Sequence, residues 1–191
     1  MKLRLGAVIG STLYYFGGRS KTSASQTDNT WSSPLSHLTD PDNDFLTLDL
    51  SNSFSVSSPP LTGLTQPSSP PNGPPAISLG ALWPSSDGKF LYQFAGEFSD
   101  SPPTPPTTEL TWKYDLTAKS WASIPTGGDS VTRPAEGADC IAAGGTNGQG
   151  LGVYLAGHLD AYTVPGWSIQ VAREYLSSML LFDIVCPWKS N

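Results

Sequence analysis

The chain has 191 residues, only 14% of them charged, a net charge of -6 and a pI near 4.6. Its 19 glycines and 18 prolines are too many breakers for a helical bundle, and the lack of any basic cluster excludes nucleic acid and anionic membranes as partners. A hydrophobic share of 38%, with six Trp, seven Tyr and seven Phe, is enough to build a core and argues against disorder.

The N-terminal stretch MKLRLGAVIGSTLYYF has early positive charges and an apolar run, but Gly6, Gly10 and Ser11 interrupt the run and no small-x-small cleavage site follows. It reads better as a hairpin, LRLGAVIG (3–10) followed by LYYFGG (13–18). The same arrangement returns in ISLGALWP (77–84) with LYQFAG (91–96), and more weakly in AEGADCIA (135–142) with VYLAG (153–157). The turn lengthens from copy to copy, up to the Gly-rich Ala143–Gly152, as expected of a surface tip. On this reading Gly145 lies at a tolerant tip, and Gly96 inside the unit.

A second strand pair follows each hairpin: FLTLDLSNSFSV (45–56), LTWKYDLTAKSWASI (110–124) and MLLFDIVCPW (179–188). Each has an Asp before a short turn (Asp49, Asp115, Asp183) and an aromatic beyond it (Phe54, Trp121, Trp188). The aromatics are spaced 67 and 67 residues apart, the aspartates 66 and 68. Between the pairs lie polar inserts expected to be loops: Arg19–Asp44, Pro59–Pro75, Ser99–Thr108 with its PPTPP, and Asp160–Ser178, where VAREYLSS is expected to form a helical turn or two. No apolar stretch approaches the ~20 residues of a membrane span.

A four-stranded unit whose second strand ends on two small residues resembles the kelch repeat. Gly17-Gly18, Ala95-Gly96 and Ala156-Gly157 take the diglycine place; Leu48, Tyr114 and Phe182 take that of the first aromatic; Phe54, Trp121 and Trp188 take that of the Trp. Only the first unit has a true Gly-Gly, and that unit has Leu48 and Phe54 in place of the expected Tyr and Trp. The resemblance implies an all-β fold: an incomplete, about three-bladed kelch-type β-propeller of four-stranded antiparallel blades with long Ser/Pro-rich loops. The whole of 1–191 is then one partial propeller domain, with blades near 3–56, 76–124 and 135–188. The inserts are similar to those of kelch-repeat proteins of filamentous fungi, many of them secreted or held at the cell surface, although the chain itself carries no convincing signal peptide. Small residues at the strand end let the backbone turn and an aromatic ring pack against it.

Closed propellers have about four to eight blades. Three blades leave an open arc, so the chain is expected to belong to a larger propeller, to self-associate, or to be a fragment without independent function. Its two ends fit a piece cut near blade boundaries.

Residues suited to chemistry are few. His37 lies in a polar loop, and His158 with Asp160 reads as a polar strand end, too few ligands for a metal site. A galactose-oxidase-like copper site needs two His, two Tyr and a Cys brought together, and no Tyr–Cys pair matches. Cys140 and Cys186 have no neighbouring base to activate them and read as buried free thiols. GGTNGQGLG (144–152) leads into a strand where a phosphate loop needs a helix, so it reads as a hairpin tip. Asp49, Asp115 and Asp183 read as turn caps. No catalytic residue, metal or cofactor is expected. The expected function is a non-catalytic binding module whose loops contact a protein or glycan, with part of a carbohydrate or alcohol oxidase as the alternative.

Overall fold

Alternating apolar residues such as Leu5, Ala7 and Ile9, set between glycine and proline turns, pair into antiparallel strands rather than helices. The computed structural model describes residues 5–18, 45–64, 73–98, 104–128, 130–145, 148 and 150–184. These residues contain thirteen strands and no α-helix. Blade 1 is a sheet in the order β1 (Leu5–Ile9), β2 (Thr12–Phe16), β3 (Phe45–Asp49), β4 (Leu61–Leu64). Blade 2 is β5 (Ala81–Pro84), β6 (Phe90–Phe94), β7 (Thr111–Asp115), β8 (Ser120–Ile124). Blade 3 shows three strands among the described residues: β9 (Ala138–Ala142), β10 (Leu151–Leu155) and β13 (Met179–Asp183). A small ribbon, β11 (His158–Leu159) with β12 (Glu174–Tyr175), rises from the end of β10.

The register aligns the blades residue by residue. Leu13 pairs with Leu48, Leu91 with Tyr114, and Gly152 with Phe182. Across the outer pair, Tyr114 lies opposite Trp121, and Leu48 lies opposite Leu61. The residue at the Trp place of blade 1 is therefore Leu61, not Phe54. Phe54 sits in the long β3–β4 turn, 36% exposed. That turn runs over residues 50–60 where blade 2 uses only 116–119, so the first blade extends past residue 56 into the segment expected to be an insert. A second shift concerns Leu-Gly-Ala. Ala81 and Ala138 pair with Phe94 and Leu155, but in blade 1 it is Leu5, not Ala7, that pairs with the matching Phe16. A slip of two residues keeps every side chain on its face, so the apolar alternation survives it. The expected helical turns at VAREYLSS are absent; Glu174–Tyr175 pairs with His158–Leu159 instead. Trp188, Cys186 and His37 lie outside the described residues, and Cys140 is free but exposed rather than buried.

The core consists of two inter-blade layers. Between blades 1 and 2, Leu5, Ala7, Phe16 and Phe45 pack on Leu82, Leu91, Trp112, Tyr114 and Trp121. Phe45 meets Tyr114 edge-on at 4.8 Å, and Tyr114 lies 5.0 Å from Trp121. Between blades 2 and 3, Trp83 is stacked between Phe94 (5.3 Å) and Phe182 (5.7 Å). The linkers are tied as well: Tyr154 accepts a hydrogen bond from Gly137 N–H (2.9 Å) and donates one to Leu79 C=O (3.1 Å). Burial pushes that phenol up to about 12, so it remains a donor.

Candidate functional site

The second strands of all three blades end in one conformation. Gly17 and Gly18 have φ of 59° and 105°, Ala95 and Gly96 56° and 99°, Ala156 and Gly157 59° and 97°. Two successive positive φ values reverse the strand and aim the next N–H at the linker of the following blade. Gly18 N–H donates to Ile77 C=O (2.8 Å), and Gly96 N–H to Pro134 C=O (2.9 Å). A side chain at Gly17 would strike Ile77 O, and one at Gly96 would come within 2.8 Å of Ser78 O. The linkers repeat too, with Leu79 and Glu136 both at φ 61°. In blade 2 the buried Arg133 completes this corner by donating to Ala95 C=O (3.0 Å) and Glu109 C=O. Burial lowers Arg133 to about 10, partly offset by the Glu109 charge.

Leu48, Tyr114 and Trp121 are buried, Phe182 is half-buried against Trp83, and they do not converge on one pocket. Asp49 Oδ1 accepts from Ser51 N–H (2.8 Å), and Asp115 Oδ1 from Thr117 (2.8 Å) and Ala118 N–H (2.9 Å), as turn caps do.

The residues that do converge stand at the strand end of blade 3. His158, expected to be a polar strand end, is buried to 1% exposure. Its Nε2 lies 3.2 Å from Asp160 Oδ2 and its Nδ1 3.4 Å from Glu136 Oε2. Arg173 reaches the same two oxygens, with Nη2 at 2.8 Å from Asp160 Oδ2 and Nη1 at 3.8 Å from Glu136 Oε2. The Tyr175 ring stands edge-on to the imidazole at 6.4 Å. Burial, and then the Arg173 charge, hold His158 below its ordinary value.

This cluster supports the loop between β11 and β12. Asp160 N–H donates to Thr163 Oγ1 (2.8 Å), Tyr162 N–H to Asp160 Oδ1 (2.9 Å), and Phe98 N–H of blade 2 to Tyr162 C=O (2.9 Å). Held in this way, the loop and its returning strand turn Ile169 (79% exposed), Val171 and Tyr175 (77%) to solvent, with Trp167 beside them. Sequence reasoning marked His158 and Asp160 but missed Glu136 and Arg173. Arg173 lies thirteen residues along an irregular loop. Only the Glu-Gly-Ala segment of the repeat could have pointed to Glu136.

No family model matches the chain. A kelch repeat-containing protein of Arthroderma benhamiae is 43% identical over 192 residues, covering 91% of this chain and 25% of that protein. The solved structure of YjhT shares 15% identity at a TM-score of 0.46, over 82% of this chain and 34% of that one. The chain is a homologue of that kelch repeat-containing protein, and its described residues form two four-stranded antiparallel sheets, one three-stranded antiparallel sheet and a two-stranded ribbon, which do not close into a ring. It spans a quarter of its curated relative's length.

Proposed function

We propose that this segment is a non-catalytic binding module whose contact surface is the β11–β12 loop of blade 3. The observation that carries this reading is the exposure of Ile169, Val171 and Tyr175 on a loop whose base is pinned by buried hydrogen bonds and ion pairs. Exposed apolar and aromatic side chains on a pre-ordered loop bind at low entropic cost, by stacking on a sugar or filling a protein pocket. The relative's kelch-repeat name agrees with a binding role. The test is a screen of the purified chain on glycan and protein arrays. Hits that weaken about ten-fold or more in Tyr175→Ala and Ile169→Ser, at unchanged Tm, support the reading. Hits that ignore both substitutions reject the loop. Stoichiometric copper in the purified protein would turn the reading towards the oxidase.

The second component of the proposal is assembly. Ala138, Cys140, Val153, Leu155, Met179 and Leu181 share one face of blade 3. By register they match Ala81, Trp83, Tyr92, Phe94, Thr111 and Lys113, the face of blade 2 that blade 3 covers. We propose that a further kelch-type blade covers the blade 3 face in the complete propeller.

A further inference from the structure

We propose that His158 and Arg173 are alternative counter-cations for Glu136 and Asp160, so that acidification moves the carboxylates from Arg173 to His158 and releases the β11–β12 loop. The geometry is one of direct competition. Arg173 Nη2 and His158 Nε2 approach the same oxygen, Asp160 Oδ2, at 2.8 and 3.2 Å. Arg173 Nη1 and His158 Nδ1 approach the same oxygen, Glu136 Oε2, at 3.8 and 3.4 Å. A neutral imidazole has one N–H and cannot donate to both carboxylates, and neither ring nitrogen makes a hydrogen bond of good geometry. A protonated imidazole has two N–H groups, one for each carboxylate, and carries a charge that repels the guanidinium beside it.

The groups facing the imidazole are Glu136 from the linker, Asp160 and Arg173 from the two ends of the loop, and Tyr175 from β12. The Glu97 carboxylate of blade 2 favours the charged form of Arg173. Arg173 is the more exposed cation, with 39% of its side chain open to water, so it can leave while His158 stays buried. With Arg173 gone, the ties that the outer half of the loop retains among the described residues are local turns and the short β11–β12 pairing. The sign agrees with the titration. Burial and Arg173 depress His158, so the unfolded chain takes up the proton first as pH falls. The junction's stability is therefore fully present above the free-histidine value of about 6.5 and declines below it.

As regulation of the contact surface, the proposal rests on the loop reading above. The test uses no ligand, so either can fail alone. Amide hydrogen exchange of the whole chain is compared at about pH 7.5 and about pH 5, corrected for the intrinsic exchange rate. Peptides covering residues 161–175 are expected to exchange about ten-fold faster in acid, while β6 and β7 stay protected. His158→Gln should abolish the acid effect, and Arg173→Gln should give fast exchange at both pH values. An unchanged acid effect in His158→Gln, no acid effect in the native chain, or a protected loop in Arg173→Gln overturns the proposal. If His158→Gln does not fold, NMR of the native chain decides. The Arg173 Nε–H signal must move with the same midpoint as the His158 imidazole, and a signal that stays put through that titration rules the exchange of partners out.

Discussion

Ala95 and Ala156 hold φ of 56° and 59°, where an L-residue is strained and glycine is not. Ala156→Gly is therefore expected to stabilise the chain by roughly 0.5–1 kcal/mol in urea melts, since left-handed strain outweighs the added freedom of the unfolded glycine. Ala95→Gly should gain less, because the Ala95 methyl is fully buried in the layer between blades 2 and 3. Glycine tolerance can be separated in the same way. Gly145, expected to lie at an open tip, has φ 73° and would place a Cβ 2.5 Å from Gly150 O, so it cannot serve as a tolerant control. Gly128 has φ 92°, and a Cβ there would meet no atom of the described residues within 4 Å. Gly96→Val should exceed Gly128→Val in cost by about 1–3 kcal/mol, the part due to collision with Ser78 and Ile77 rather than to φ. Equal costs in urea melts would mean that backbone conformation alone selects these glycines.

The two inter-blade layers fill equivalent positions in opposite ways. By register, Ala7 matches Trp83, and Leu91 matches Gly152. The first layer uses a small residue on one blade and a large one on the next; the second reverses the order. Gly152 is the space that Trp83 occupies, for a Cβ there would lie 2.5 Å from Trp83 Cε3. Gly152→Ala is expected to cost about 1–3 kcal/mol by pushing the indole off its stack with Phe182. Adding Trp83→Leu should recover part of that loss, whereas in the native background Trp83→Leu is destabilising. Additive losses in the double variant, measured by a urea double-mutant cycle, would show that the two residues do not compete for one space.

At the scale of the molecule the arc is unequal. Blade 2 is covered on both faces, while one face of blade 3 leaves Leu155, Met179 and Leu181 about half exposed. Contiguous apolar surface of this kind favours association. Leu181→Lys places at that position the residue type that Lys113 supplies in blade 2. It should change the stability of the isolated chain by no more than about 0.5 kcal/mol, because the face is open. It should also reduce concentration-dependent self-association in sedimentation velocity. A loss of stability without a change in association would mean that the face is already covered within this chain.

The sequence alone determined the repeat and its chemistry of turns. Small residues at 17–18, 95–96 and 156–157 mark strand ends because only small side chains tolerate that backbone beside a neighbouring linker. Alternation marks the strands, since period-two patterns survive shifts of register by two. For the same reason the sequence could not decide register. Phe54 was as good a match to the Trp place as Leu61, and only the length of the β3–β4 turn separates them. The candidate site was legible only as His158 and Asp160. Burial of His158, the approach of Glu136 from a linker and of Arg173 from the far end of a loop depend on how the blade corner closes. Local patterns record which residues can turn or alternate; which charges meet in a buried corner is decided by contacts between segments far apart in the chain, and those exist only once the sheets have packed.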